Sequence, residues 1–167
     1  MITVVGIDPG LAATGVALVR GTGLSVKSFS YGTIRTFARD RLTDRLNRIY
    51  TLVSTMLAER SPDLMVVEDV FSVEKFPQSG ITLGKVIGVI LLAGCRKNIA
   101  VMEVPVREAK QVLTGSGVAD KKQLEESIRR RLNHPTPIRP YHASDAMALA
   151  MIGLFRWNGI PGAGPRS

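Results

Sequence analysis

The chain of 167 residues has one cysteine, Cys95, so no disulfide framework can form within it, and a reducing cytoplasm is the expected compartment. With two histidines besides, it has no ligand set for structural zinc. No apolar run approaches the ~20 residues needed to cross a bilayer. Met1 leads straight into an apolar stretch with no basic segment before it, so neither a membrane span nor a signal peptide is expected. There is no internal repeat. Acidic residues are also scarce: fourteen Asp and Glu stand against twenty-two Lys and Arg, for a net charge of +8 and a pI near 10.2. In a cytoplasmic protein that balance points to a polyanionic partner, although ribosome-associated and merely well-solvated proteins share it.

What is present begins with residues 2–15, ITVVGIDPGLAATG. Ile2, Val4, Val5 and Ile7 describe a strand buried on both faces, ending on Asp8 and stopped by Pro9 and Gly10. Asp8 is therefore expected where a central strand meets solvent, the place where open α/β sheets build their sites. The competing account is an Asx turn, with Asp8 bonded to the backbone of Gly10.

Residues 15–20 and 24–34 read as two more strands, joined through Arg20, Gly21, Thr22 and Gly23, so three antiparallel strands open the fold. Apolar residues at Leu42, Leu46, Ile49, Tyr50, Val53, Met56 and Leu57 trace one helical face, and Arg41, Arg45 and Arg48 fall off it, as a solvated outer face would. Ser61, Pro62 and Asp63 end that helix. Residues 64–67 then form a second buried strand that also ends on an acid, Glu68, with Asp69 next. Strand, helical crossover and strand put both acids on one edge of a parallel sheet. Residues 71–80 read as a loop. The helix expected at 81–96 is apolar nearly all round, and Gly84, Gly88 and Gly94 would let another backbone approach, either inside the monomer or across a homodimer seam. A fifth strand is expected at 100–104, helices at 107–112, 120–132 and 142–156, and a proline-rich connector at 134–140. One domain spans residues 1–157, and 158–167 read as a disordered tail.

On the last helix His142 and Asp145 are three residues apart, hence on one face. Asp145 could simply complement the helix dipole. Together with Asp8 and Glu68, however, the pair makes a cluster of hard donors suited to Mg²⁺ or Mn²⁺. In a basic protein such a cluster suggests phosphodiester hydrolysis assisted by two metal ions, with Lys and Arg holding the nucleic-acid backbone.

Several motifs occur in order: G-I-D-P-G and T-G between Gly6 and Gly15, V-V-E and V-F between Val66 and Phe71, L-G, G-V between Leu83 and Val89, Lys110 and Gln111 with the later Gly115-Ser116-Gly117, and H-x-x-D-A between His142 and Ala146. Over nearly its whole length the sequence resembles the RuvC Holliday-junction resolvases of the RNase H-like superfamily. The resemblance implies an α/β, RNase H-like fold: a five-stranded mixed sheet, three antiparallel strands first and then parallel ones, with helices on both faces. It implies a homodimeric, metal-dependent endonuclease that nicks four-way junction DNA symmetrically in recombination and repair, working with a RuvA and RuvB branch-migration assembly. Asp8, Glu68, His142 and Asp145 occupy the catalytic, metal-binding positions. Lys110 and Lys121 match basic residues near the scissile phosphate, with Lys122 beside them, and Phe71 matches an aromatic that stacks on unpaired bases. His142 stands where many members carry Asp, which shifts metal preference towards Mn²⁺. Lys85 and Ile87 replace a common Gln and Arg on a DNA-facing helix, and Phe76 is a second candidate for stacking. D-P-G-x-x-x-T-G also looks like the phosphate-binding hairpin of actin and sugar-kinase ATPases, but those clamp nucleotide between two such domains. A DNA-binding module without chemistry is the third reading, against which all four ligand positions are kept.

Overall fold

The computed structural model describes residues 1–69 and 77–157. Ten elements follow in the order β1 (Ile2–Asp8), β2 (Ala13–Thr22), β3 (Ser25–Arg35), α1 (Leu42–Arg60), β4 (Leu64–Glu68), α2 (Pro77–Arg96), β5 (Ala100–Val104), α3 (Val106–Thr114), α4 (Lys121–Arg131) and α5 (Tyr141–Arg156). The strands form one sheet in the order β3-β2-β1-β4-β5. β1, β2 and β3 pair antiparallel, whereas β4 pairs parallel with both β1 and β5. This is the mixed sheet, covered on both faces, that the sequence leads one to expect.

Side-chain alternation along the two central strands decides what each face receives. Val5, Ile7, Met65 and Val67 point into a core shared with Ile49, Val53 and Leu57 of α1 and Val86, Ile90 and Ala93 of α2. Val4, Leu64 and Val66 point the other way, into a core with α3, α4 and α5. By the same alternation Asp8 and Glu68 are the next members of the α5-facing rows. Ile7 pairs with Val67, so the two acids come side by side where the rows run out.

Residues 143–154 of α5 are buried throughout, more than the single apolar stripe of the sequence suggests. Its backbone lies directly on the sheet, over glycines. A Cβ on Gly6 would sit 2.0 Å from the carbonyl oxygen of Ala146, and one on Gly15 would sit 1.9 Å from that of His142. Only residues without a side chain permit that approach.

Several boundaries differ from expectation. Gly21 and Thr22 continue β2, with a register shift at Arg20 and Gly21, and the chain turns at Gly23, whose φ is +55°. α1, by contrast, runs to Arg60 and is ended as expected by Ser61, which adopts the left-handed conformation. α2 begins at Pro77, four residues before Ile81, because proline suits the first helical position. Gly84 and Gly88 face open space, and a Cβ on Gly94 would meet the Met65 side chain, so no second backbone packs on these glycines within the described residues. Ile81 and Leu92 of α2 are exposed. Among the described residues no helix is long and apolar enough to cross a membrane.

Candidate active site

The site lies at the edge of the sheet where β1 and β4 end. The turn after Asp8 is closed by hydroxyl groups: Thr14 Oγ1 donates to the Gly10 carbonyl at 2.8 Å, and Thr36 Oγ1 donates to that of Leu11. Instead of the Asx turn, Asp8 makes a long-range contact, its Oδ2 lying 2.6 Å from Nδ1 of His142 on α5. An ionised carboxylate can only accept, so His142 donates through Nδ1, leaving Nε2 as the ring's available lone pair. The hydrogen bond to Asp8 raises the pKa of His142 above its usual value.

Glu68 and Asp145 complete the cluster. Burial first, then the adjoining Asp8 carboxyl and the charge of Asp145, push the Glu68 pKa up to about 8. Asp145 is also raised, chiefly by burial and then by Asp8, with Lys121 and His142 pulling the other way. One oxygen of Asp145, Oδ1, is buried with no hydrogen-bond partner among the described residues, and Oδ2 lies 3.6 Å from Lys121 Nζ. Three acids held this close with one oxygen unsatisfied have the chemistry of a cation-binding donor set. No three of the described side chains stand ready-made around a metal position, since His142 is engaged with Asp8 and Lys121 with Asp145.

The other candidates are distributed around this centre. Lys121 enters the cluster because Asp120 caps α4, its carboxylate accepting from the Gln123 N–H while the Gln123 side chain accepts from the Asp120 N–H, which sets Lys121 in the first turn. Lys122 is exposed beside it, Lys110 is half-buried on α3, and Lys85 is exposed on α2; none of the three makes an ion pair with another described residue. Phe71 and Phe76 lie outside the described residues.

Two supports escape a reading of local pattern. Gly6 and Gly15 seat α5 so closely that His142 reaches Asp8. Buried Glu125 of α4 accepts the Ile138 N–H at 2.9 Å and so anchors the connector that leads into α5. The two-glycine spacing of the first motif was a visible signal of the former; nothing in the sequence marks the latter.

The family model for crossover junction endodeoxyribonuclease RuvC matches residues 4–153. The chain is 37% identical over 151 residues to the crossover junction endodeoxyribonuclease RuvC of Mannheimia succiniciproducens, covering 90% of this chain and 74% of that one. It is 34% identical over 159 residues to the enzyme of the same name from Carboxydothermus hydrogenoformans, covering 94% and 98%. The solved structure of Thermus thermophilus RuvC in complex with Holliday junction substrate superposes with a TM-score of 0.86 at 27% identity, covering 93% of this chain and 94% of that one.

Proposed function

The chain belongs to the RuvC family of crossover junction endodeoxyribonucleases, and from that premise we propose that it resolves four-way DNA junctions by metal-dependent hydrolysis at the Asp8, Glu68, His142 and Asp145 cluster. The observation that carries the reading is the buried Asp145 Oδ1, without a hydrogen-bond partner among the described residues, beside the carboxyls of Asp8 and Glu68, the latter made reluctant to ionise by burial.

The four side chains would hold divalent cations, Mg²⁺ or Mn²⁺, two to a site. Bound there, the cations supply positive charge to the attacking water and to the departing 3′ oxygen of an in-line displacement, leaving 5′-phosphate and 3′-hydroxyl ends. Asp8 fixes the tautomer of His142 by accepting from Nδ1, which directs Nε2 as the ligand atom. Lys121, paired with Asp145 and 56% exposed in its side chain, keeps charge at the mouth of the site, where it can hold a non-bridging phosphate oxygen. Lys85, Lys110 and Lys122 serve the strands running into the site, and Phe71 or Phe76 receives a base unstacked at the junction centre. Two copies of the chain acting as a homodimer would place two such sites on strands of like polarity, and a RuvA and RuvB assembly would deliver the junction.

A synthetic four-way junction incubated with the protein and Mg²⁺ or Mn²⁺ tests the proposal. Paired nicks that ligase reseals are the expected product. Intact junctions with both metals, or nicks that cannot be ligated, would overturn it.

A further inference from the structure

Where β3 ends and α1 begins, residues 35–48 hold five arginines, Arg35, Arg39, Arg41, Arg45 and Arg48, against two acids, Asp40 and Asp44. Charge runs on an outer helix face are usually solvated, as the helical pattern suggests for three of these. Their arrangement is more ordered than that. Among the described residues only Arg41 has a close acidic partner, Asp44 at 2.9 Å; Arg39 is 4.0 Å from Asp40. Arg45 Nε donates to Thr36 Oγ1 at 2.8 Å and Arg48 Nε donates to the Arg35 carbonyl at 3.0 Å. Both guanidinium groups are thus tethered by one nitrogen, with their outer nitrogens unused among the described residues. Phe37 is 56% exposed, and the Arg39 guanidinium lies 5.0 Å above its ring.

This group is joined to the turn that follows Asp8. Arg35 pairs with Ala13 across β2, Thr36 N donates to Ala12 O at 3.1 Å, and Thr36 Oγ1, which receives the Arg45 bond, itself donates to Leu11 O. β3 lies two strands from β1, and two strand spacings are about 10 Å. That distance corresponds to about three nucleotides along one DNA strand at 3.4 Å each.

We infer that the arginines and Phe37 of residues 35–48 form a phosphate-gripping surface for a duplex arm of the DNA, on the β3 flank of the carboxylate edge and away from the lysines of α3 and α4. The inference rests on the DNA-directed function proposed above and adds a second contact region to it. An exposed phenyl ring gains nothing from burial in the fold, but it holds a flat guanidinium in place, so that Arg39 surrenders less freedom on meeting a phosphate. The tethers on Arg45 and Arg48 do the same.

The full chain is titrated with a fluorescent four-way junction in chelator across a range of salt. Arg35→Gln with Arg39→Gln is compared with Lys27→Gln with Lys97→Gln, a charge-matched change at exposed positions outside residues 35–48, Lys27 near the start of β3 and Lys97 between α2 and β5. The expected result is a salt slope smaller by about 0.9 for each lost contact in the arginine variant only. Equal slopes in the two variants overturn the inference while leaving the proposed function standing; wild-type protein that ignores the junction overturns both. If the double variant melts below wild type, Arg39→Gln alone gives the decision, because that side chain is 83% exposed and its partners among the described residues are Asp40 at 4.0 Å and the Phe37 ring at 5.0 Å.

Discussion

Gly15 of β2 lies directly beneath His142: a Cβ there would stand 1.9 Å from the His142 carbonyl oxygen and 3.2 Å from the Ala143 nitrogen. Both neighbours are helix backbone, which cannot rotate aside. Gly15→Ala must therefore lift the first turn of α5 off the sheet and draw His142 away from Asp8. Overpacking of this kind costs about 1–3 kcal/mol, so a lowered melting temperature is expected together with loss of cleavage. Gly32→Ala, at a β3 glycine with nothing within 4 Å, should change neither. Normal cleavage by Gly15→Ala would show that α5 need not sit so close.

The acids should separate chemistry from stability. Asp8→Asn, Glu68→Gln and Asp145→Asn are each expected to reduce cleavage to background while junction binding persists, because carboxylates hold metal and Lys and Arg hold phosphate. Glu68→Gln should also melt no lower than wild type in chelator at neutral pH, since it removes a charge that burial already disfavours. Thermal melts and binding titrations on the same preparations test this; a Glu68→Gln protein that still cleaves removes Glu68 from the site.

The pKa shifts predict how the metal-free protein responds to pH. Glu68 rises from 4.5 to about 8 on folding, so over that interval the folded chain keeps a proton that the unfolded chain has released. The stabilisation is full below the unfolded value and is lost as pH rises towards 8. His142, raised by its bond to Asp8, acts in the same direction. In chelator the melting temperature should fall between about pH 5 and pH 8, and Mg²⁺ or Mn²⁺ should restore it most at the upper end, where the cation replaces the lost proton. Glu68→Gln should flatten the slope. A melting temperature that climbs with pH would contradict the account.

Asp8 and Glu68 were legible in the sequence because each follows a continuous apolar run, and parallel pairing necessarily brings such strand ends together. His142 and Asp145 followed from a spacing of three on one helix. The seat of α5 on Gly6 and Gly15 was signalled only by the presence of both glycines in the first motif; what they meet was not legible, because the contact joins segments more than a hundred residues apart. The start of α2 was missed because a proline followed by polar residues looks locally like a loop, although Pro77 opens the helix. Arg45 and Arg48 fell outside the apolar stripe of α1, and helical period alone could not reveal Thr36 and the Arg35 carbonyl as their partners.

Two adjacent lysines of α4 should behave differently. Lys121 Nζ lies 3.6 Å from Asp145 Oδ2, and its charge lowers the proton affinity of both Asp145 and Glu68. Lys122 is exposed and makes no ion pair among the described residues. Lys121→Ala removes the nearest cation from the acid cluster, so the carboxylates hold their protons to higher pH and bind metal less readily. Cleavage at saturating protein should fall, with the rising limb of its pH profile moved upward. Lys122→Ala should leave the saturated rate unchanged and weaken only binding, reducing the salt slope by about 0.9 if it meets one phosphate. Single-turnover cleavage across pH, paired with salt titrations of both variants, distinguishes the two roles. Equal effects on the saturated rate would mean that the contact between Lys121 and Asp145 carries no chemistry.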